Sequence, residues 1–221
     1  MNEIPFADSN ENFRVGNIYC IGKNYPDHIK EFTDAAQPNE PVVFIIPKSA
    51  LCKSGCRVSI PVVNKKKISD NIQNEVEIVL AVFRNFNNSD FNLNSVVQGI
   101  ALGFDITLRD VQTNAKLNGM PWSVSKGFKN SAPISEIYHL KNINNEINFS
   151  LSINGETKQT GNTLNMIFSF EEILKYLNSI FALEAGDLIF TGTPSGVTSL
   201  NSGDILEGFL NNKKVLEAII E

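Results

Sequence analysis

Three carboxylates have the residue types and the spacing of ligands for one hard metal ion. Glu75 and Glu77 open an apolar run that continues over residues 76–83, and Asp105 lies inside a second apolar run at residues 99–107. Both runs are typical of β-strands, in which residues two apart point to the same face and lie about 6.5–7 Å apart. The two glutamates can therefore converge on a single cation.

The apolar surroundings of these carboxylates favour a bound cation. Beyond Glu77 the first run is apolar on both faces, which is typical of a buried strand. An unpaired charge at the mouth of such a strand is very costly, so Glu75 and Glu77 need a positive partner. Each motif alone also fits a simpler interpretation, in which the glutamates lie on a solvated strand face and Asp105 forms a turn or a structural hydrogen bond.

Any metal site in this chain has to be rich in oxygen ligands. The sequence contains the histidines His28 and His139 and the cysteines Cys20, Cys52 and Cys56. Cys52 and Cys56 would need a second Cys or His pair to complete a zinc site, and the sequence has none. Carboxylate oxygens select Mg²⁺, Mn²⁺ or Ca²⁺ over zinc. The odd number of cysteines, without signal-peptide features, predicts free thiols in a reducing compartment and hence a cytoplasmic protein.

The overall composition is that of a globular protein and argues against some classes of partner. The 221 residues are enough for one large domain or two small ones with a sizeable core. The formal net charge is −5 and the longest basic run is the triplet at residues 65–67, so we expect no nucleic-acid partner. No stretch approaches the roughly 18 apolar residues of a membrane span, so we expect no membrane partner either.

Turn formers and apolar runs predict a strand-rich α+β chain without regular βαβ alternation. The pairs Asn154-Gly155 and Asn211-Asn212 predict two hairpins, because Asn and Gly tolerate the backbone angles of tight turns. Between such turns the apolar runs indicate strands. The predicted strands include residues 17–22, 42–46, 149–153, 157–160 and 188–191.

Three segments predict helices. Residues 25–32 form a short helix with Pro26 in its first turn. Thr107 is predicted to be the N-cap of a helix that runs to about residue 117, with Asp110 as its capping-box partner. Residues 169–177 have helical spacing and begin with Ser169 as a cap.

The chain resembles the fumarylacetoacetate hydrolase family, and its short acylpyruvase and oxaloacetate-decarboxylase branch in particular. The resemblance extends from about residue 17 to about residue 218, nearly the whole chain. Any one of its segments alone would be weak evidence, but they occur in the family's order and at its spacing. These segments are residues 21–31, 74–78, 103–112 continued by 119–122 and 126–128, and 186–197.

This resemblance implies a fold, a metal and a substrate class. The implied fold is a strand-rich mixed β-sandwich roll of the α+β class, with a short leader at residues 1–16 and a single catalytic domain at residues 17–221, usually as a homodimer. It implies Mg²⁺ or Mn²⁺ held by Glu75, Glu77 and Asp105. It also implies a small 2-oxo acid as substrate, bound to that metal through its carboxylate and keto oxygens.

The same resemblance implies three catalytic residues. Lys126 matches the family's active-site lysine and would donate to a developing oxyanion. His28 and Glu31 match a dyad on a short lid helix, in which a histidine can remove a proton from water and the glutamate orients it. On spacing alone, a surface lysine and a surface His–Glu pair are the commoner interpretations.

Five further residues are expected to bind substrate. Arg109 and Gln112 lie three residues apart and share a helix face, although Arg109 fits an ion-pair role equally well. Thr193 lies in a Gly-Thr-Pro segment that could bind a carboxylate or simply form a tight turn. Lys23 and Asn24 lie in the first matching segment.

Three positions depart from the family's usual pattern. Asn74 replaces the His or Tyr that usually precedes Glu-x-Glu, and Phe83 replaces a frequent Gly after the metal strand. Lys23 replaces an Arg and loses its bidentate fork. These departures leave the catalytic set intact and bear on which substrate is used.

The function expected from the resemblance is metal-dependent hydrolysis of the C–C bond of acylpyruvate-type substrates. A metal bound to a 2-oxo acid acts as an electron sink for such cleavage. The same site suits oxaloacetate decarboxylation or tautomerisation, or isomerisation or hydration of an unsaturated 2-oxo diacid. A third hypothesis is a non-catalytic protein that binds a metal and an oxo acid.

Overall fold

A computed structural model describes residues 1–31, 36–139 and 146–221, without the side chain of Gln98. The strands are β1 (Glu3–Pro5), β2 (Asn12–Arg14), β3 (Ile18–Gly22), β4 (Val42–Ile45), β5 (Leu51–Lys53), β6 (Cys56–Val58), β7 (Val62–Val63), β8 (Lys66–Lys67), β9 (Ile72–Gln73), β10 (Val76–Val82), β11 (Val97–Phe104), β12 (Thr107–Leu108), β13 (Ala132–Ile134), β14 (Tyr138–His139), β15 (Asn148–Ile153), β16 (Glu156–Asn162), β17 (Leu188–Phe190), β18 (Ile205–Leu210) and β19 (Lys213–Ile220).

Among the described residues the helices are fewer than the strands. They are α1 (Pro26–Lys30), α2 (Leu93–Val96), α3 (Arg109–Leu117), α4 (Ser123–Lys126) and α5 (Phe170–Phe181), with 3₁₀ turns at Lys48–Ala50, Asn88–Asp90 and Thr163–Asn165. Phe32, the last residue of the predicted first helix, lies outside the described residues. No helix of the described residues is long and apolar enough to cross a membrane.

Two mixed sheets form the body of the fold. The larger has eight strands in the order β4-β3-β17-β10-β11-β13-β5, with β14 also paired to β11. The smaller has five strands in the order β16-β15-β18-β19-β6. Antiparallel pairs dominate, but β3–β17, β5–β13 and β6–β19 are parallel. The prediction of a strand-rich α+β fold built from packed, mixed sheets is confirmed.

Strand β10 lies at the centre of the larger sheet and is buried throughout. One face, with Ile78 and Leu80, packs in the main core together with residues of the smaller sheet and of α5. The other face, with Val79 and Ala81, packs in a second core. The prediction that this strand is apolar on both faces because both are covered is therefore confirmed.

The first sixteen residues help to cover the second face of the larger sheet. Strands β1 and β2 pair with each other. They bury Ile4, Phe6 and Phe13 in the second core. Phe83 packs on Phe6 and Phe13, with ring centroids 5.7 and 5.5 Å away. This departure from the family pattern thus belongs to the packing between the N-terminal segment and the sheet.

Both predicted hairpins are confirmed, since β15 pairs with β16 and β18 pairs with β19. Asn154 and Gly155 have φ of 53° and 83°, the positive values that a two-residue turn of this kind requires. Ser169 caps α5 in a reciprocal capping box with Glu172, as its position before the apolar periodicity indicated.

The predicted cap at Thr107 is wrong. Thr107 lies in β12, which pairs with β9, and its hydroxyl donates to the carbonyl of Asp105 at 3.1 Å. Helix α3 begins at Arg109 without a side-chain cap. The Asp110 carboxylate instead accepts from Ser69 at 2.5 Å. Strand pairing with a distant segment has taken the backbone groups that a local cap would have used.

The expectation of three free thiols is also corrected. Cys52 in β5 and Cys56 in β6 are joined by a disulfide across a tight turn, and Cys20 is free and buried. The turn at Gly55, which has φ of 83°, brings the two cysteine Cα atoms to 6.1 Å. The odd cysteine count could not reveal this pairing, because it depends on how sharply the chain turns between the two strands.

Candidate active site

The three predicted metal-ligand carboxylates lie together at one end of the β10–β11 pair. The antiparallel register places Glu77 opposite Gly103 and Val76 opposite Phe104. The next step brings Glu75 opposite Asp105, whose N–H donates to the Glu75 carbonyl at 2.8 Å. One ligand oxygen from each of the three carboxylates lies within 4.8 Å of the others. Alternation along one strand and register between two strands are thus sufficient to assemble the triad.

Glu77 is fixed by the loop that follows β17. The Gly192 N–H donates to Glu77 Oε2 at 2.8 Å. Gly192 has φ of 100°, and a Cβ there would lie 2.7 Å from the Asn24 side chain. Only glycine fits this turn without strain, so the residue type at position 192 is explained by the need to aim its N–H at Glu77.

Two cations are buried with the carboxylates. Lys126 Nζ donates to Glu75 Oε2 at 2.7 Å and to Asp105 Oδ2 at 2.6 Å. The Arg109 guanidinium pairs with Glu75. It also donates to Gln112 Oε1 at 2.6 Å and to Gln73 Oε1 at 2.6 Å. The Arg109 ion-pair role left open by the sequence is present in the structure.

Burial and the neighbouring charges shift the pKa values of the three carboxylates in opposite directions. Burial disfavours ionisation of Glu75, but Lys126 and Arg109 outweigh it and hold its pKa well below the usual range. Burial, followed by repulsion from Asp105 and Glu75, raises the pKa of Glu77 well above its usual range. Burial raises the pKa of Asp105 to about 6 despite Lys126. Lys126 and Arg109 are thus too few to balance three ionised carboxylates.

The donor set fits a hard divalent cation. Asp105 is 1% exposed and Glu77 is 2% exposed. Asp105 Oδ1 has no hydrogen-bond partner among the described residues. A buried acceptor without a donor is costly, and a cation bound there would satisfy it. All-oxygen ligation is what Mg²⁺ and Mn²⁺ prefer, so Glu75, Glu77 and Asp105 are the residues that would hold such an ion.

We expect Asp105→Asn to weaken Mn²⁺ binding by about a hundredfold or more. Replacing a residue that only hydrogen-bonds to a metal ligand already lowers the affinity by about tenfold to a hundredfold. Calorimetric titration of chelator-treated protein measures the affinity directly. Asp27→Asn is a matched control, because Asp27 is an exposed carboxylate paired only at the surface with Lys30 at 2.7 Å. Equal affinities for the Asp105→Asn variant and the wild-type protein would refute the assignment of the triad as the metal site.

The predicted dyad is formed at the end of helix α1. His28 Nδ1 lies 2.9 Å from Glu31 Oε2. Glu31 Oε1 accepts the Gly196 N–H at 2.6 Å. His28 is 7% exposed. The carboxylate therefore orients the imidazole through Nδ1 and is itself held by the Gly-rich loop, an arrangement that suits the imidazole to proton transfer.

These groups share one cavity of about 210 Å³. It brings together nine of the eleven residues that the sequence analysis assigned to the site. They are Lys23, His28, Glu75, Glu77, Asp105, Arg109, Gln112, Lys126 and Thr193. The other two predicted residues, Glu31 and Asn24, are not among the described residues that line the cavity. Glu31 contacts His28, which does line it.

Asn24 was expected to bind substrate, but its side chain is hydrogen-bonded to the backbone of two other segments. Its amide donates to the carbonyls of Thr191 at 2.8 Å and Phe168 at 3.2 Å, and its Oδ1 accepts the Phe168 N–H at 2.8 Å. It therefore joins the chain after β3 to two other segments. Thr193 lines the cavity, but its hydroxyl donates to the Val76 carbonyl at 2.9 Å. Both side chains support the site by holding the backbone.

Gln159 is a supporting residue that sequence reasoning missed. Its side chain accepts from the Val76 N–H at 3.0 Å and from Asn74 Nδ2 at 2.8 Å, and donates to Thr193 Oγ1 at 2.9 Å. It thus ties the start of the metal strand to the loop after β17. The departure at Asn74 belongs to this buried network. A glutamine on a hairpin strand gives no local signal for such a role.

The outer wall of the cavity was also missed. It includes the aromatic residues Phe44 and Trp122 and the lysine Lys116. Phe44 comes from β4, and Trp122 immediately precedes α4. Helical spacing was a signal for Lys116, which lies four residues after Gln112 on the same face of α3, and Trp122 lies in a segment that matches the family.

Known proteins resemble this chain over nearly its whole length. Residues 17–219 match the family described as fumarylacetoacetate (FAA) hydrolase C-terminal. The chain is 37% identical over 194 residues to the mitochondrial oxaloacetate tautomerase FAHD1 of Bos taurus, covering 86% of this chain and 85% of that protein. It is 36% identical over 200 residues to the oxaloacetate tautomerase YcgM of Escherichia coli K12, covering 88% of each.

A solved structure shows the same fold. The fumarylpyruvate hydrolase from Pseudomonas aeruginosa, in complex with Mn²⁺ and pyruvate, matches with a TM-score of 0.89 at 29% identity, covering 99% of this chain and 94% of that chain. The family match and the extent of the sequence identity agree with the fold and with the site geometry. This chain therefore belongs to the fumarylacetoacetate hydrolase family.

Proposed function

We propose that this protein is a divalent-metal-dependent enzyme that interconverts the keto and enol forms of oxaloacetate or a closely related 2-oxo diacid. The relatives named oxaloacetate tautomerase, which are 36% and 37% identical over at least 85% of their length, support this reaction. Because of these relatives, we put tautomerisation ahead of C–C hydrolysis, the reaction first expected from the sequence.

One observation carries the proposal. A histidine held by a carboxylate, a buried lysine and a carboxylate triad line the same cavity. Tautomerisation of a 2-oxo acid needs a base at the carbon beside the keto group and a donor at the keto oxygen. His28 and Lys126 are groups of these two kinds.

The roles of the protein groups follow from their surroundings. His28 would remove a proton from the carbon beside the keto group, and Glu31 would stabilise the resulting imidazolium. Burial opposes a charge on Lys126, but Asp105 and Glu75 outweigh it and raise its pKa above the ordinary value. Lys126 is therefore an ammonium at neutral pH, able to donate to a keto oxygen as it becomes negative. A divalent metal on the triad would add Lewis-acid polarisation of the 2-oxo acid.

A second candidate is hydrolysis of an acylpyruvate. The His28–Glu31 pair can equally activate a water, and the structural relative named fumarylpyruvate hydrolase favours this reaction. The two reactions share the enolate and differ in whether a water attacks a second carbonyl.

The two candidates are separated by measuring three substrates on one preparation of Mn²⁺-loaded protein. Enol oxaloacetate decay reports tautomerisation, and loss of acetylpyruvate and fumarylpyruvate reports hydrolysis. We expect oxaloacetate tautomerisation to have the highest kcat/KM. Faster hydrolysis would make the second candidate the principal activity. No turnover of any of the three would refute the proposed enzyme class.

A further inference from the structure

The cavity has a second cationic end, separated from the carboxylates by an aromatic wall. Lys126 Nζ lies 5.5 Å from the ring centroid of Phe44. The rings of Phe44 and Trp122 have centroids 5.6 Å apart. Lys116 Nζ lies 5.0 Å from the Trp122 ring centroid. Lysine side chains thus stand at both ends of an apolar wall.

Helix α3 connects the two ends. Arg109, Gln112 and Lys116 occur at positions i, i+3 and i+7, so they share a helix face, and all three line the cavity. Arg109 pairs with Glu75 at the inner end. Seven residues of helix span about 10.5 Å, so this face reaches from the carboxylate triad to the mouth of the cavity.

Lys23 brings another cation to the same cavity. Its φ is 58°, in the left-handed region that few residues other than glycine adopt. The neighbouring Asn24 side chain holds this segment to the backbone of Phe168 and Thr191. Backbone strain persists only where the surroundings enforce it, and it is common at ligand sites.

Positive charge accumulates around Lys116. Its side chain as a whole is exposed at the mouth of the cavity. Partial burial of its ammonium group, followed by repulsion from Arg109, lowers the pKa of Lys116 to about 8. Lys23 and Lys126 act in the same direction, and Glu75 opposes them. An anion bound at this end would relieve the repulsion.

We propose that Lys116 and Lys23 bind the distal carboxylate of a 2-oxo dicarboxylic acid whose carbon chain lies against Phe44 and Trp122. This inference rests on the proposed function, because it takes the 2-oxo acid end of the substrate to lie at the carboxylate triad. Lys116 then determines specificity, since an acylpyruvate with an uncharged acyl end, such as acetylpyruvate, offers this end of the cavity no charge.

Binding of two matched ligands tests the inference without requiring turnover. The probes are 2-oxoglutarate and 5-methyl-2-oxohexanoate, in which an isopropyl group replaces the distal carboxylate. Both are titrated calorimetrically into the Mn²⁺-loaded wild-type protein and into the variants Lys116→Met and Lys116→Arg. Lys213→Met is the matched control, because Lys213 Nζ also lies over an aromatic ring, 5.4 Å from the centroid of Tyr138, but away from the cavity.

We expect the wild-type protein to bind 2-oxoglutarate about tenfold to a hundredfold more tightly than the analogue that lacks the distal charge, the range for a hydrogen bond to a charged group. Lys116→Met should lose most of this preference, while Lys116→Arg and Lys213→Met should keep it. No preference in the wild-type protein, or equal weakening of both ligands by Lys116→Met, would overturn the inference. A Lys116-dependent preference without turnover of any 2-oxo acid would support this binding site and refute the proposed reaction.

Discussion

Replacing His28 by alanine is expected to slow oxaloacetate tautomerisation by about 10²–10⁴-fold, the usual contribution of a positioned general base. The change removes the imidazole that Glu31 orients at 2.9 Å and leaves the carboxylate triad in place. Acylpyruvate hydrolysis should fall by a similar factor, because it needs the same base for water. Rates are compared at saturating Mn²⁺, so that a change in metal affinity does not enter.

Metal-assisted decarboxylation of oxaloacetate provides an internal comparison. That reaction needs no proton removed from carbon or water, so His28→Ala should retain a larger share of it. Glu31→Gln should slow the same reactions as His28→Ala, but by a smaller factor, because Glu31 orients the base and does not itself remove the proton.

The chain offers a close control for the His28 variant. His139 Nδ1 lies 2.8 Å from the Asp8 carboxylate and is partly exposed, away from the cavity. His139→Ala should therefore leave turnover unchanged. Unchanged tautomerisation in His28→Ala would exclude the role of base. An equal loss of all three reactions would indicate instead that α1 acts by closing over the substrate.

The catalytic and metal-binding residues of this site were more predictable from the sequence than the residues that form the outer wall of its cavity. Glu75 and Glu77 share a strand face and His28 and Glu31 are three residues apart, so local periodicity alone relates each pair. The residue type and apolar setting of Asp105 suggested the same site, but its assignment depended on the resemblance, because strand register is not a local property. The structure gives the reason, which is antiparallel pairing of β10 with β11.

What the sequence did not reveal depends on contacts between distant segments. Gln159 acts through atoms of Val76 and Thr193, and nothing near it in the chain marks that role. The cap predicted at Thr107 failed for the same reason, since pairing between β12 and β9 replaced it. Long-range backbone pairing overrides local capping signals where a segment is buried, and Thr107 is entirely buried.

Replacing Lys126 by methionine is expected to lower both tautomerisation and hydrolysis by about 10²–10³-fold, the loss typical of one oxyanion donor. Methionine keeps much of the volume of the aliphatic stem and removes the charge. The structure adds a second consequence, because Lys126 Nζ donates to both Glu75 and Asp105. Without it, Asp105 loses the cation that it pairs with and Glu75 is left with Arg109 in the metal-free protein.

The two consequences of Lys126→Met have different readouts. Removing one partner of a buried ion pair costs about 3–5 kcal/mol, so the metal-free variant should unfold at markedly lower urea concentration than the wild type. A divalent cation would replace the lost charge. Mn²⁺ should therefore stabilise the variant more than the wild type while leaving the catalytic defect in place.

A surface lysine with the same bonding pattern separates these effects from the loss of any ion pair. Lys214 Nζ donates to Glu207 at 2.5 Å and to Glu217 at 2.6 Å, at the surface. Lys214→Met should cost no more than about 1 kcal/mol, because exposed ion pairs contribute little. Near-normal rates in Lys126→Met would exclude Lys126 as the oxyanion donor. If the metal-free variant were as stable as the wild type, Lys126 would not be the cation that compensates the triad.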